Sequence, residues 1–398
     1  MKFAFFVFPV CLLSIITQAQ HLLTEKQAVE LALKNNPQIK VSELRVEKQQ
    51  RLRPASLAFD NLEVIMQAPT TGGYAPSILQ RLQFPTVYTN QIKLQKANIR
   101  VAESEKMITA NNLVYSVRHN YNNLNFLIQK SRTLRRQDSI FSDILEVNDI
   151  RYKVGQISNL EKINSEAYYK QIQFTLMQTQ ADLQNAKRQI AILIGTPNDT
   201  TISTSGGLTK IEGYEVENAP DTTFPSNPLT NYYTQLQVAS KRSLGLERSR
   251  RLPGLIGGYF NQLGPGTSTR YHWQFGVTIP IWFWAFQSRV GAARKDVEIA
   301  QSQFTYNNYQ LKGEYSKALA QYKQYRQAVE YFETVGNQLS NEIIKAARES
   351  YRLGSIGYYI YLQNINQAFQ IQYSYLEALK NYNESIITLQ YIIGEQRF

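Results

Sequence analysis

Tyr152-Lys153-Val154-Gly155-Gln156-Ile157 and Tyr351-Arg352-Leu353-Gly354-Ser355-Ile356 are one pattern written twice, 199 positions apart. Two further pairs keep that spacing: Arg51-Leu52-Arg53-Pro54 with Arg250-Arg251-Leu252-Pro253, and Ile194-Gly195 with Ile393-Gly394. One such match is weak, but a shared offset at three places marks a duplication with a long period rather than a short solenoid repeat. Asn36-Pro37 and Asn227-Pro228 open the two copies. The first repeat is assigned to 20–195 and the second to 228–398. The Thr-, Ser-, Gly- and Pro-rich stretch 196–227 reads as the connection.

Proline placement says what each repeat contains. No proline falls between Pro85 and Pro197, and none follows Pro280. Proline breaks helix interiors, so these stretches have room for very long helices. Apolar or small residues recur there at alternating steps of three and four, the period of a coiled-coil seam. In the first repeat the seam runs Ala110, Leu113, Val117, Tyr121, Leu124, Ile128, then Ile172 to Leu193. In the second it runs Leu311, Tyr315, Ala318, Tyr322, Tyr325, Val329, Phe332, Gly336, Leu339, Ile343, Ala346, then Ile365 to Ile393. Helices are therefore expected over about 87–152, 159–194, 286–353 and 358–393, with Gly155 and Gly354 at the turns of antiparallel pairs. The first would be roughly 100 Å long at 1.5 Å per residue, a length that suits a tube or spacer.

Strands are expected ahead of each long helix, over about 60–68, 77–84, 255–263 and 271–280. The last is the clearest. Tyr271, Trp273, Phe275, Val277 and Ile279 alternate with His272, Gln274, Gly276 and Thr278, one apolar and one polar face at period two. The tryptophans Trp273, Trp282 and Trp284 all fall at this strand or just after it, and tryptophan favours membrane–water interfaces. Four strands cannot close a barrel, and open sheet edges do not occur in lipid. Lipid-facing strands would thus require several chains to share one barrel; three would supply twelve strands.

The chain has 398 residues, 43% apolar and 19% charged, which excludes wholesale disorder. Met1-Lys2, the apolar run Phe3 to Ile16 and Thr17-Gln18-Ala19 follow the order of a secretory signal, with cleavage expected near Ala19. The one cysteine, Cys11, lies inside that signal without a lipobox, so no lipid anchor, disulfide or cysteine chemistry is expected. Neither a metal nor a cofactor is expected: His21, His119 and His272 share no ligand spacing, and no P-loop, dinucleotide motif or nucleophile elbow is present, so an enzyme is not expected. The net charge of +12 could point to nucleic acid, but the basic residues are spread along helices and a signal argues against it. The rival reading from another class is a periplasmic or surface coiled-coil structural protein without a pore.

Taken together, these features resemble the TolC family of outer-membrane efflux proteins. The carriers are the signal, the duplication, the Asn-Pro openings, the strand pair before each long helix, the paired tips, and the stretch His21 to Pro37. The resemblance implies a mainly α fold with a small β part. It implies a homotrimer whose twelve-stranded barrel sits in the outer membrane of a Gram-negative bacterium and continues as an α-helical barrel through the periplasm. It implies passive export of substrates delivered by an inner-membrane resistance-nodulation-division pump and a periplasmic adaptor. Gln83-Phe84-Pro85-Thr86-Val87-Tyr88 resembles the heavy-metal branch, which would make metal cations or drugs the cargo. The resemblance places the adaptor at Tyr152, Lys153, Gly155, Tyr351, Arg352 and Gly354. A periplasmic gate is expected at Tyr358, Tyr361 and Gln363, and lipid contact at Tyr271, Trp273, Phe275, Val277 and Ile279. Some members carry acidic rings just past the second tip; Tyr358 to Asn364 here contains no carboxylate.

Overall fold

The computed structural model describes residues 22–67, 75–197, 202–214, 224–262 and 270–395. The signal, the turns at Thr71-Gly72-Gly73 and Gly264-Pro265-Gly266, and parts of the 196–227 connection lie outside them. The first half runs β1 (Leu22–Leu23), α1 (Glu25–Asn35), α2 (Pro37–Ala55), β2 (Glu63–Gln67), β3 (Ala75–Leu82), α3 (Pro85–Lys153) and α4 (Asn159–Leu193). After β4 (Ser203–Thr204), which pairs in parallel with β1, the second half runs α5 (Pro228–Ser249), β5 (Gly254–Gln262) and β6 (Arg270–Thr278). It then continues through α6 (Phe283–Tyr331), a π-helical turn (Phe332–Gly336), α7 (Asn337–Arg352) and α8 (Tyr358–Ile393).

Local chemistry sets these boundaries. Asn36 and Asn227 cap α2 and α5 with their side-chain oxygens, and each is followed by proline at the first helical position, where its missing N–H is harmless. Thr24 with Gln27, and Ser158 with Glu161, form reciprocal capping boxes on α1 and α4. Helices α3, α4, α7 and α8 stop at Gly155, Gly195, Gly354 and Gly394, all at positive φ. At Gly155 the glycine N–H donates to Tyr152 O and the next N–H to Arg151 O. Gly354 repeats this onto Tyr351 and Ser350, the double bond that satisfies orphan carbonyls at a helix end.

The 69 residues of α3 span about 100 Å. It packs on α4 and α8, and α8 packs in turn on α7; nearer the sheet, α5 lies against both α3 and α6. Three cores follow the long helices: one around Leu124 and Ile190, one around Ile386 and Leu389, and one below them around Phe141 and Phe369. Burying a side chain such as Phe369 contributes about 1.5–3 kcal/mol.

The expected helix over 286–353 is not continuous. The π turn at Phe332–Gly336 takes in one residue more than an α turn, so the buried face shifts by one below it. Ser340, Ile344 and Ala347 are buried, where the uninterrupted seam would have buried Leu339, Ile343 and Ala346. Glu333 in this turn pairs with Lys210 at 2.9 Å.

Candidate membrane face and helix tips

Strands β2, β3, β5 and β6 form one antiparallel sheet in that order. Directly paired residues point to the same side of a sheet. Val64 pairs with Ile78, Ile78 with Tyr259, and Tyr259 with Trp273; Leu82 pairs with Leu255, and Leu255 with Val277. One side therefore collects Val64, Met66, Ile78, Leu82, Leu255, Tyr259, Trp273, Phe275 and Val277. The other carries Glu63, Ser77, Arg81, His272, Gln274 and Thr278, with Glu63 and Arg81 ion-paired at 3.2 Å. Gln80 is the polar exception on the apolar side, and its amide is turned back to donate to Asp60 O and Arg81 O.

Nothing in the chain covers the apolar side. Trp273 is 73% exposed and Phe275 81%, and Val277 and Ile279 are exposed as well. Tyr271 continues the ladder opposite Asn261 by its backbone, and its side chain lies outside the described residues. Trp282 and Trp284, their rings edge to face at 5.2 Å, stand exposed at the start of α6. The outer edges of β2 and β6 have no strand beside them among the described residues. Gly258 lets the strands approach: a Cβ there would sit 3.0 Å from Ile78 O. Among the described residues, no helix is long and apolar enough to cross a membrane.

At the opposite end of α3 and α7 lie the two matching tips, and their tyrosines do different things. Tyr152 stays on its own hairpin, with Lys162 Nζ 4.9 Å from its ring centroid. Tyr351 reaches across to α3, where Arg151 donates to its hydroxyl at 2.6 Å and also lies over its ring. The opposite neighbour of Tyr351 is Tyr361, stacked at 4.7 Å and 6°. Burial pushes the Tyr351 hydroxyl above its ordinary pKa, with Arg151 opposing and Tyr361 and Glu161 adding. Lys153 and Arg352 are exposed, and Arg352 pairs with Glu349 at 2.6 Å. Gly155 and Gly354 have open space where a Cβ would be.

Two expected gate residues are not at the surface. Tyr358 is 3% exposed and Tyr361 4%; both lie in the core shared by α3, α7 and α8. Burial raises the pKa of both hydroxyls. The period of α8 explains this correction: stepping back four and three from Ile365 lands on Tyr361 and Tyr358, so they extend the seam. Gln363 is exposed, and the surface residues beside it are Tyr359 and Ile360. At the tips the sequence reading also passed over Val154 and Leu353, 62% and 67% exposed, which project from the turns just before the glycines.

No family model and no curated protein sequence matches the chain. Solved structures do match it. The Campylobacter jejuni CmeC outer membrane channel aligns over 93% of this chain and 85% of its own, with 18% identity and a TM-score of 0.76. The open state of the Neisseria gonorrhoeae MtrE outer membrane channel aligns over 93% and 88%, with 15% identity and a TM-score of 0.76. CusC, solved in a study of folding and transmembrane channel formation, aligns over 96% and 95%, with 14% identity and a TM-score of 0.77. Such low identities speak for backbone architecture alone, and on that ground this chain has the fold of these outer-membrane channels.

Proposed function

We propose that the chain is the outer-membrane component of a tripartite efflux system, a passive duct with no catalytic role and no cofactor. Three copies would close twelve strands into a barrel in the outer membrane of a Gram-negative bacterium, and their long helices would form a tube through the periplasm. A sheet with a continuous exposed apolar face, a polar reverse face and two free edges carries this reading. In water the apolar face would be left uncovered; in lipid it is solvated, but each unpaired edge group would cost several kcal/mol. Closure between copies resolves both problems at once.

The tips, about 100 Å from the sheet, are then the docking site of the periplasmic adaptor, which couples the duct to an inner-membrane resistance-nodulation-division pump. Lys153 and Arg352 would offer polar contacts around Gly155 and Gly354, with Tyr152 and Tyr351 supporting the turns. Val154 and Leu353 would add the apolar contact. The Arg151–Tyr351 bond ties the α7–α8 pair to the α3–α4 pair, so parting the tips to widen the entrance would break it. A heavy-metal cargo rests on the stretch Gln83 to Tyr88 alone, since the backbone resembles CmeC, MtrE and CusC about equally.

Expression with the native signal in a Gram-negative host tests the proposal. The protein should fractionate with outer membranes, need detergent for release, run as a heat-modifiable trimer and conduct in planar bilayers. A folded monomer released by aqueous buffer, without conductance, would instead favour the coiled-coil structural reading.

A further inference from the structure

From Leu353 to Leu376 the chain carries no charged side chain, across the second tip and the first half of α8. The matching window of the first repeat holds Glu161, Lys162, Glu166 and Lys170. Packing does not account for the difference. The half of α8 that is buried is one face, built from Tyr361, Ile365, Ala368 and Phe369. The opposite face is exposed and runs Tyr359, Ile360, Gln363, Gln367, Gln370, spaced by mostly threes and fours as a single strip. An exposed helix face ordinarily carries charge. The helices packed around α8 do so: Arg132, Arg136 and Asp143 on α3, and Glu342, Lys345 and Arg348 on α7, are exposed.

The strip is also not where another copy would join. Helix α8 lies between α3 and α7, whereas α4, on the far side of α3, presents the exposed apolar residues Leu160, Ile163, Phe174 and Met177 that an edge-to-edge contact would cover. A surface that is exposed, uncharged and away from the edges suits a wall that solutes pass. Conduction needs contacts strong enough to admit a solute and weak enough to release it. Amide and phenol groups exchange hydrogen bonds with a solute without fixing a counter-ion beside it.

We infer that this strip lines the periplasmic half of the bore for roughly 20–30 Å and fits the duct to uncharged or amphiphilic organic solutes rather than to hydrated metal cations. The inference rests on the channel reading above and adds its substrate class.

Ion selectivity of the full-length trimer in planar bilayers under a KCl gradient tests it, because the existence of a conductance reports on the channel and the reversal potential reports on the wall. The wild type should show a K⁺/Cl⁻ permeability ratio within about threefold of unity. The double variant Gln363→Glu/Gln367→Glu should shift that ratio toward cations by about threefold or more. It should also slow the passage of an uncharged aromatic solute in a liposome-swelling assay. Gln171→Glu, on the exposed face of α4, should leave both readings unchanged. A strongly cation-selective wild type overturns the inference. So does a double variant that conducts with an unmoved reversal potential, or a Gln171→Glu effect of equal size, which would reduce the result to overall charge. A well-folded trimer with no conductance removes the channel reading and the inference with it.

Discussion

The side-chain nitrogen of Asn227 donates a 2.7 Å hydrogen bond to the carbonyl of Ile392. The same side chain caps α5, its oxygen accepting from the N–H groups of Leu229 and Thr230. Asn36 repeats the arrangement in the first half, donating to Leu193 O at 2.9 Å and accepting from Gln38 N. The residue that opens each half thus holds the helix that closes it. The closing glycines leave no slack: a Cβ on Gly394 would clash with Ser226 O, and one on Gly195 with Asn35.

Replacing Asn227, which is buried, separates the two roles. Asp is as good an N-cap as Asn, but it cannot donate to Ile392 and sets a carboxylate against a carbonyl. Asn227→Asp should therefore destabilise the protein by about 1–3 kcal/mol, the cost of a buried polar group left unmatched. Asn227→Ala should cost at least as much, since it loses the cap as well. Thermal melts of the purified protein in detergent read both. An Asp variant melting with the wild type would mean that the tie to Ile392 contributes nothing.

The tip glycines can be tested without disturbing packing, because a Cβ at Gly155 or Gly354 would meet nothing within 4 Å and the strain comes only from φ of +73. Asn tolerates that conformation better than other side chains, so Gly155→Asn/Gly354→Asn adds bulk at a backbone cost of about 1 kcal/mol per site. Trimer yield and melting should stay near wild type, while cross-linking to the adaptor and drug resistance in cells should fall sharply. Normal cross-linking and export would leave these glycines as helix caps and no more.

The π turn makes an unusual deletion tolerable. Removing Val335, which is exposed, would turn Phe332–Gly336 into ordinary α-helix and keep Ser340, Ile344 and Ala347 on the buried face. The expected change is within about 0.5 kcal/mol, the range of a surface substitution. Deleting exposed Arg135 from the uninterrupted α3 should instead rotate everything below it by about 100° and turn Phe141 and Ile144 out of their core. Assembly should survive the first deletion and fail after the second; equal outcomes would mean that the π turn is not an inserted residue.

What the sequence discloses and what it hides follow from the range of the forces involved. The absence of proline from 86 to 196 and the alternation from Trp273 to Val277 are local patterns, and helix Pro85–Lys153 and strand Arg270–Thr278 can be read from them. The shift from Leu339 to Ser340 depends on one hydrogen-bonding turn that no period announces. Tyr358 and Tyr361 illustrate a different miss, since their seam spacing was legible but the neighbour that buries them, Phe141 on α3, is brought there only by the tertiary fold. The bond from Asn227 to Ile392 crosses 165 residues and has no local signature beyond a repeated Asn-Pro.

A buried ion pair between α3 and α8 gives a pH dependence with a definite sign. Burial raises the Glu384 pKa, but His119, whose Nδ1 is 2.7 Å away, and Lys380 together bring it net below its ordinary value. A carboxyl lowered on folding stabilises the fold above its unfolded pKa, and that contribution disappears as pH falls through the lowered folded value. His119→Gln removes the principal opposing partner and lets burial dominate, so Glu384 should take up its proton at higher pH. Urea midpoints measured from pH 7 downward should begin to fall at higher pH in His119→Gln than in the wild type. Superimposable profiles would show that the pair does not couple to folding.

The decisive substitution for the membrane face is at Phe275. It stands opposite Gly257, which has no side chain to shield it, on the apolar side of β6, while its neighbour Gln274 points to the polar side opposite Gly258. Arginine at a lipid-facing barrel position near mid-membrane costs about 2–4 kcal/mol, and at a lumen-facing position much less. Phe275→Arg should therefore reduce the heat-modifiable, detergent-extracted fraction in outer membranes, and Gln274→Arg should leave it intact. A water-exposed sheet predicts the reverse order of benefit: Phe275→Arg would remove an exposed aromatic from solvent and improve solubility without loss of folding. Equal folded yields for the two variants in the membrane fraction would place both faces in the same medium, and the barrel would have to be given up.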